Sequence, residues 1–127
     1  MNITGITWHA VVVSDDQRAS LKALLGDVMG LKVAAEAEGF TRFAMANGTV
    51  LELLGPAAVP AYGYNEGGVA FGFRVDDIEA ASRELAAAGC ELLGEVTRMR
   101  RVNYAYREFR APDGRVYGIN EQQASGN

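Results

Sequence analysis

The sequence predicts an α+β fold in which one module, strand–helix–strand–strand–strand, occurs twice. Three observations carry this. Two runs rich in β-branched and aromatic residues, Ile3–Val13 and Val69–Val75, each lead straight into an acidic helix start, Ser14-Asp15-Asp16 and Asp76-Asp77. Each helical stretch is ended by a glycine, Gly30 and Gly89. Each half then carries a hairpin signal, Asn47-Gly48 and Pro112-Asp113-Gly114. Val13 and Val75 are 62 residues apart, and Gly48 and Gly114 are 66 apart. The second copy therefore carries about four extra residues, assigned to a longer hairpin, and a repeat of this kind constrains the fold more than any single motif.

The elements follow in order. After the first strand, Leu21, Leu24, Leu25 and Val28 recur at helical spacing up to Gly30. Three short strands are expected at Lys32–Ala37, Phe40–Ala46 and Thr49–Leu54. Residues 56–67, rich in proline and glycine, read as a connector. Val69, Phe71, Phe73 and Val75 then share one face of the fifth strand, and a second helix runs to about Ala88. Strands at Glu91–Arg98, Asn103–Arg110 and Arg115–Glu121 complete the copy. The boundaries are module one at 1–55, module two at 68–121, and a polar, frayed tail at 122–127.

Composition narrows the function classes. The 127 residues make one domain, with a formal net charge of −4, and nucleic-acid binding is not expected of an acidic chain. Arg98, Arg100 and Arg101 read as a solvated hairpin tip. No apolar run is long enough to cross a bilayer and no signal peptide is evident, so no membrane partner and a cytoplasmic location are expected. The single cysteine, Cys90, excludes an intramolecular disulfide and reads as a structural thiol.

The motifs Val13-Ser14-Asp15, Asp27-Val28-Met29-Gly30-Leu31, Phe73-Arg74-Val75-Asp76-Asp77 and Pro112-Asp113-Gly114 resemble those of the vicinal oxygen chelate superfamily. This is the glyoxalase, bleomycin-resistance and dioxygenase group, and the likeness covers nearly the whole chain. It implies that the two modules form a cupped mixed sheet and that the chain is a homodimer. It does not select a chemistry, since the superfamily hosts lyases, isomerases, dioxygenases, thiol transferases and drug-binding proteins.

Many members hold a divalent metal with four ligands, one from the first and one from the last strand of each module. Carried onto this sequence, those positions are Trp8, Glu52, Ala70 and Gly118. His9, one residue beyond Trp8, points to the opposite face, as a hydrogen-bonded core histidine. One carboxylate cannot hold a catalytic ion that needs about three protein ligands. No metal and no other cofactor are therefore expected.

Strand alternation and two-residue hairpin turns give the expected cup lining. Trp8, Phe43, Met45 and Phe109 supply apolar surface, and Ala70, Gly72 and Gly118 leave room. Glu52, Arg74, Arg107 and Asn120 supply polar handles, with Glu52 paired to Arg107 or Arg74, or standing alone as a candidate catalytic base. Tyr62, Tyr64, Tyr104 and Tyr106 are placed at the rim or lid, with ordinary surface packing as the alternative. For Trp8 the alternatives are ligand stacking, core filling and a dimer contact.

The reading that follows is a metal-free protein that binds a bulky, aromatic small molecule, similar to the bleomycin-resistance branch. A glyoxalase- or dioxygenase-type enzyme is the alternative, as is a metal-independent lyase or isomerase that uses Glu52 as base. Whether any reaction is catalysed stays open at this point.

Overall fold

The computed structural model describes residues 1–60, 63–64 and 68–123. The first copy comprises β1 (Ile3–Val12), α1 (Asp15–Ala23), β2 (Lys32–Ala37), β3 (Phe40–Ala44) and β4 (Val50–Leu54). The second comprises β5 (Val69–Val75), α2 (Ile78–Ala87), β6 (Glu91–Met99), β7 (Tyr104–Arg110) and β8 (Val116–Gln122). The repeated α+β module is thus present. Among the described residues no helix is long and apolar enough to cross a membrane.

The helix starts form as their sequences dictate. Ser14 Oγ accepts from the Gln17 amide at 3.1 Å, and Gln17 Oε1 accepts from the Ser14 amide at 3.0 Å, a reciprocal cap. Asp77 Oδ1 accepts from the amides of Glu79 and Ala80, both at 3.1 Å. The end of the first helix differs from expectation. After Ala23 it widens into a π-helical turn, Leu24–Val28. The widened turn breaks the 3.6-residue period, and Leu24 and Val28 are exposed while Leu21 and Leu25 are half-buried.

By contacts the chain forms two compact units. One is Thr7–Ala70, and the other is Met1–Ile6 with the chain from Phe71 onward, so β1 contributes to both. In the Thr7–Ala70 unit the strand order is β2-β3-β4-β1, with β1 and β4 parallel and the remaining pairs antiparallel. One face carries Thr41, Phe43 and Leu53, all essentially without exposure, beneath the first helix. The other face builds a small core from Ala10, Leu54 and Ala70, with Trp8, Val12, Phe40, Ala58 and Tyr64 packed against it.

In the second unit the order is β5-β8-β7-β6, with β5 and β8 parallel. Its core, Val75, Ile78, Ala81, Ala105, Phe109 and Ile119, lies between α2 and the sheet. Cys90 is half-buried against this core, consistent with a packing role. Of the four residues expected on one face of β5, Val75 is buried, while Val69 and Phe71 are about two-fifths exposed. The β6–β7 hairpin is the longer one, turning through Arg100–Val102, and just before that turn Arg98 binds Glu79 at 2.8 Å. β8 runs through Gln122, whose Nε2 donates to Val102 O at 2.7 Å, and the Gln123 amide donates to Asn103 O. Residues 122–123 are therefore held, not frayed as expected.

Both glycine hairpins close with three-residue loops, not the two-residue turns expected. The Met45 amide donates to Thr49 O and the Gly48 amide to Met45 O, each at 3.0 Å. Ala111, Arg115 and Gly114 repeat this pattern. Gly48 and Gly114 have φ of 86° and 81°, the left-handed residue that ends such a loop. One extra loop residue shifts each pairing by one position. Glu52 faces Arg42 and Gly118 faces Glu108.

The second loop is secured by Asp113, which accepts from the Arg115 amide at 3.0 Å and from the Tyr117 hydroxyl at 2.8 Å. These bonds hold the Asp113 carboxyl below its ordinary pKa and the Tyr117 hydroxyl above its own. A carboxyl with a depressed pKa supports the fold above its ordinary value and loses that support as pH falls through the lowered one. Asp113→Asn is expected to bring the Tyr117 hydroxyl back toward its ordinary pKa, which an ultraviolet phenolate titration reads. An unchanged Tyr117 titration would refute the coupling.

Candidate functional site

The face of the Thr7–Ala70 unit away from the first helix carries the first set of candidate residues. Parallel pairing sets Trp8 beside Val50, Ala10 beside Glu52 and Val12 beside Leu54. β3 adds Arg42 opposite Glu52 and Phe40 opposite Leu54. Trp8 and Glu52 thus share a face, as expected. His9 pairs with Leu51 on the opposite face, where its Nδ1 lies 3.4 Å from Val50 O.

Glu52 is only 7% exposed, and both its oxygens are engaged. The Trp8 indole N–H donates to Oε1. Arg42 reaches Oε2 with Nε at 3.1 Å and Nη2 at 3.0 Å. The Arg42 guanidinium also sits 5.2 Å from the centre of the Phe40 ring. The expected partners of Glu52, Arg107 or Arg74, are replaced by Arg42, because the hairpin shift carries Arg42 across from it. Tyr64 lies with its ring centre 6.1 Å from that of Trp8, tilted by 42°. Tyr62 lies outside the described residues.

In the second unit the corresponding face carries two glycines at its centre. Gly72 pairs with Gly118 and Arg74 with Asn120, and all but Arg74 are buried. Arg74 Nε donates to Asn120 Oδ1 at 2.6 Å. β7 adds Glu108 opposite Gly118 and Tyr106 opposite Asn120, with Tyr104 and Tyr106 ring centres 6.0 Å apart.

Four expected lining residues lie elsewhere, and the hairpin shift is the reason. Phe43 has no exposure and packs beneath the first helix. Met45 continues the parity of Phe43, and its sulfur receives the Thr49 hydroxyl at 3.2 Å. Phe109 belongs to the core under α2 and stacks on Tyr117 at 6.0 Å. Arg107 pairs with Ile119, and its Nε donates to Gly94 O at 2.9 Å. Arg42, Tyr106 and Glu108 take the places expected of Phe43, Arg107 and Phe109. A cross-strand argument could have found Arg42, since opposite charges favour directly facing positions on one sheet face.

The four positions where the fold would offer metal ligands hold an indole, a buried carboxylate, a methyl group and a hydrogen atom. Only Glu52 has a donor of the right kind, and its oxygens are taken by Trp8 and Arg42. Among the described residues no three His, Cys, Asp or Glu side chains gather closely enough to hold an ion. Among the described residues, those at these four positions do not supply the donors that a divalent metal needs.

The fold recurs in solved structures of low sequence identity. The chain aligns with a glyoxalase/bleomycin resistance protein/dioxygenase superfamily member from Vibrio splendidus 12B01 at 19% identity and a TM-score of 0.61, over 94% of this chain and 98% of that one. It aligns with methylmalonyl-CoA epimerase from Mycobacterium tuberculosis at 20% identity and 0.68, over 96% and 90%. It also aligns with the Mn(II)-bound glyoxalase from Novosphingobium aromaticivorans at 20% and 0.72, over 98% of this chain but 42% of that one. No curated protein matches the sequence. The family model of the Glyoxalase/Bleomycin resistance protein/Dioxygenase superfamily matches residues 6–116, which span both copies of the repeat, and the chain belongs to that superfamily.

Proposed function

We propose that this protein binds a bulky, aromatic small molecule against Trp8 without the help of a divalent metal, in the manner of a sequestering protein. The observation that carries this reading is the Trp8–Glu52–Arg42 arrangement. A flat indole stands where the fold offers a first metal ligand, and the one remaining acid is neutralised by an arginine. Trp8 is half-buried, flanked by Tyr64, and neighbours the small side chains Ala10 and Ala70. An indole fixed by its N–H keeps its ring face oriented for stacking, which contributes about 1 kcal/mol beyond area burial. Glu52 finds no support as a general base, because both of its oxygens already accept hydrogen bonds.

Trp8 is the sole tryptophan, so its emission reports on this face alone. Titration with planar aromatic drugs is expected to shift or quench that emission, in protein whose metal content is well below one ion per chain. Binding shown by calorimetry with no change in emission would overturn the stacking role. Stoichiometric, tightly held zinc, nickel, manganese or iron would overturn the metal-free reading and favour a glyoxalase- or dioxygenase-type enzyme.

A further inference from the structure

Two groups of exposed apolar side chains outside the candidate site sit on irregular turns. The first is in the Thr7–Ala70 unit. There the π-helical turn closes with the Met29 amide donating to Leu24 O at 3.0 Å, which sets Leu24 beside Val28 and Met29. Val28 is 77% exposed and Met29 61%. Exposed Val33 borders them, since it pairs with Phe43, whose ring lies against Gly26 of the same turn. Asp27 of this turn is exposed and joins none of the ion pairs among the described residues. The nearby cations leave it so. Lys22 is engaged by Glu36, and Lys32, one residue before Val33, points to the other face of the sheet.

The second group is the tip of the β6–β7 hairpin. Met99 and Val102 are 38% and 52% exposed and flank Arg100 and Arg101. Both arginines are exposed and also join none of those ion pairs. Residues 96–107 hold four arginines and no acid, while the rest of the chain holds eight Lys and Arg against sixteen Asp and Glu. The tip is held in shape by the Gln122 bond to Val102 O and by Asn103, which turns the chain at φ 52°. A surface already fixed loses little conformational freedom on docking.

The two groups are complementary. Each leaves apolar side chains in water, and one presents an acid where the other presents two cations. An extended polyanion such as nucleic acid attracts the tip but repels the acidic remainder of the chain. A compact apolar patch with one acid does not.

We propose that the hairpin tip of one copy of this chain docks on the π-turn patch of a second copy. Met99 and Val102 pack against Leu24, Val28 and Met29, and Arg100 or Arg101 pairs with Asp27. The apolar contact drives association, and the charges set its register. Neither Trp8 nor Glu52 takes part, so this contact is independent of ligand binding at Trp8.

Sedimentation equilibrium on the full chain is expected to show reversible self-association that grows from micromolar to millimolar concentration, as suits a small contact. Asp27→Arg, and Arg100→Glu combined with Arg101→Glu, are each expected to weaken it about tenfold or more, because the tip then meets a like charge. An equimolar mixture of these two variants is expected to associate again, since every tip meets an opposite charge on the other chain. Val28→Ser is expected to weaken association with no change of charge. Glu38→Arg, an acid-to-base reversal just past the far end of β2, is the control and leaves it unchanged. Circular dichroism checks that each variant is folded. A monomer at every concentration, association indifferent to both reversals, or a mixture no stronger than its separate components would each overturn the proposal.

Discussion

Phe43→Ala is expected to lower the stability of the fold by about 3–5 kcal/mol. The ring has no exposure and lies among Thr41, Leu51, Val33 and the turn at Gly26, where an added Cβ would stand 3.9 Å from Phe43 Cε1. Removing it forfeits the transfer free energy of a phenyl group and leaves a cavity that strands on both sides of β3 cannot collapse to fill. At this chain length each kcal/mol corresponds to roughly 3–5 °C in Tm, so a drop of about 10–25 °C should appear in a thermal melt. The sequence expectation makes the opposite forecast. A ring lining a ligand cavity could be trimmed at little cost to the fold and would weaken binding instead. A loss below about 1 kcal/mol would contradict the observed register of β3 on β4.

Glu52→Ala is expected to cost about 2–3 kcal/mol, for a different reason. The carboxylate joins two partners, and its removal leaves the Arg42 guanidinium and the Trp8 N–H without their acceptor. Breaking a fully buried pair by removing one member costs about 3–5 kcal/mol, but the Arg42 side chain is 35% exposed and recovers part of this by hydration. Glu52→Gln keeps an oxygen for the indole and loses only the ion pair, so about 1–2 kcal/mol is expected. Arg42→Met combined with Glu52→Met should be milder than Glu52→Ala, since no unpaired charge remains. Urea melts of the single and double variants measure the coupling directly. Additive losses would show that the pair does not act as a unit. Equal damage from Gln and Ala would shift the weight from charge to shape.

These two residues also show where sequence reasoning reaches and where it stops. The resemblance places Trp8 and Glu52 on one face, and strand parity then sends His9 to the other. The contrast between Trp8 and His9 depends only on alternation within β1, and alternation is local. For Phe43 and Phe109 the expected face is the wrong one, and both fail for one cause. An Asn-Gly or Asp-Gly pair fits either a two-residue turn or the end of a three-residue loop. The glycine takes positive φ in both. The choice rests on which carbonyl receives the Met45 and Ala111 amides, and a one-residue slip sends every side chain of the strand to the other face.

Residue type and short-range spacing were enough for the repeated module, the helix caps and the position of nearly every strand. Three further facts needed the folded chain: that Arg42 is the partner of Glu52, that Arg74 joins no ion pair among the described residues, and that two phenylalanines belong to the packed layers. All three depend on which strand residues face each other, and facing is a long-range property. It is settled by hydrogen bonds across a loop and by the burial of whole faces, neither of which any single stretch of chain can express.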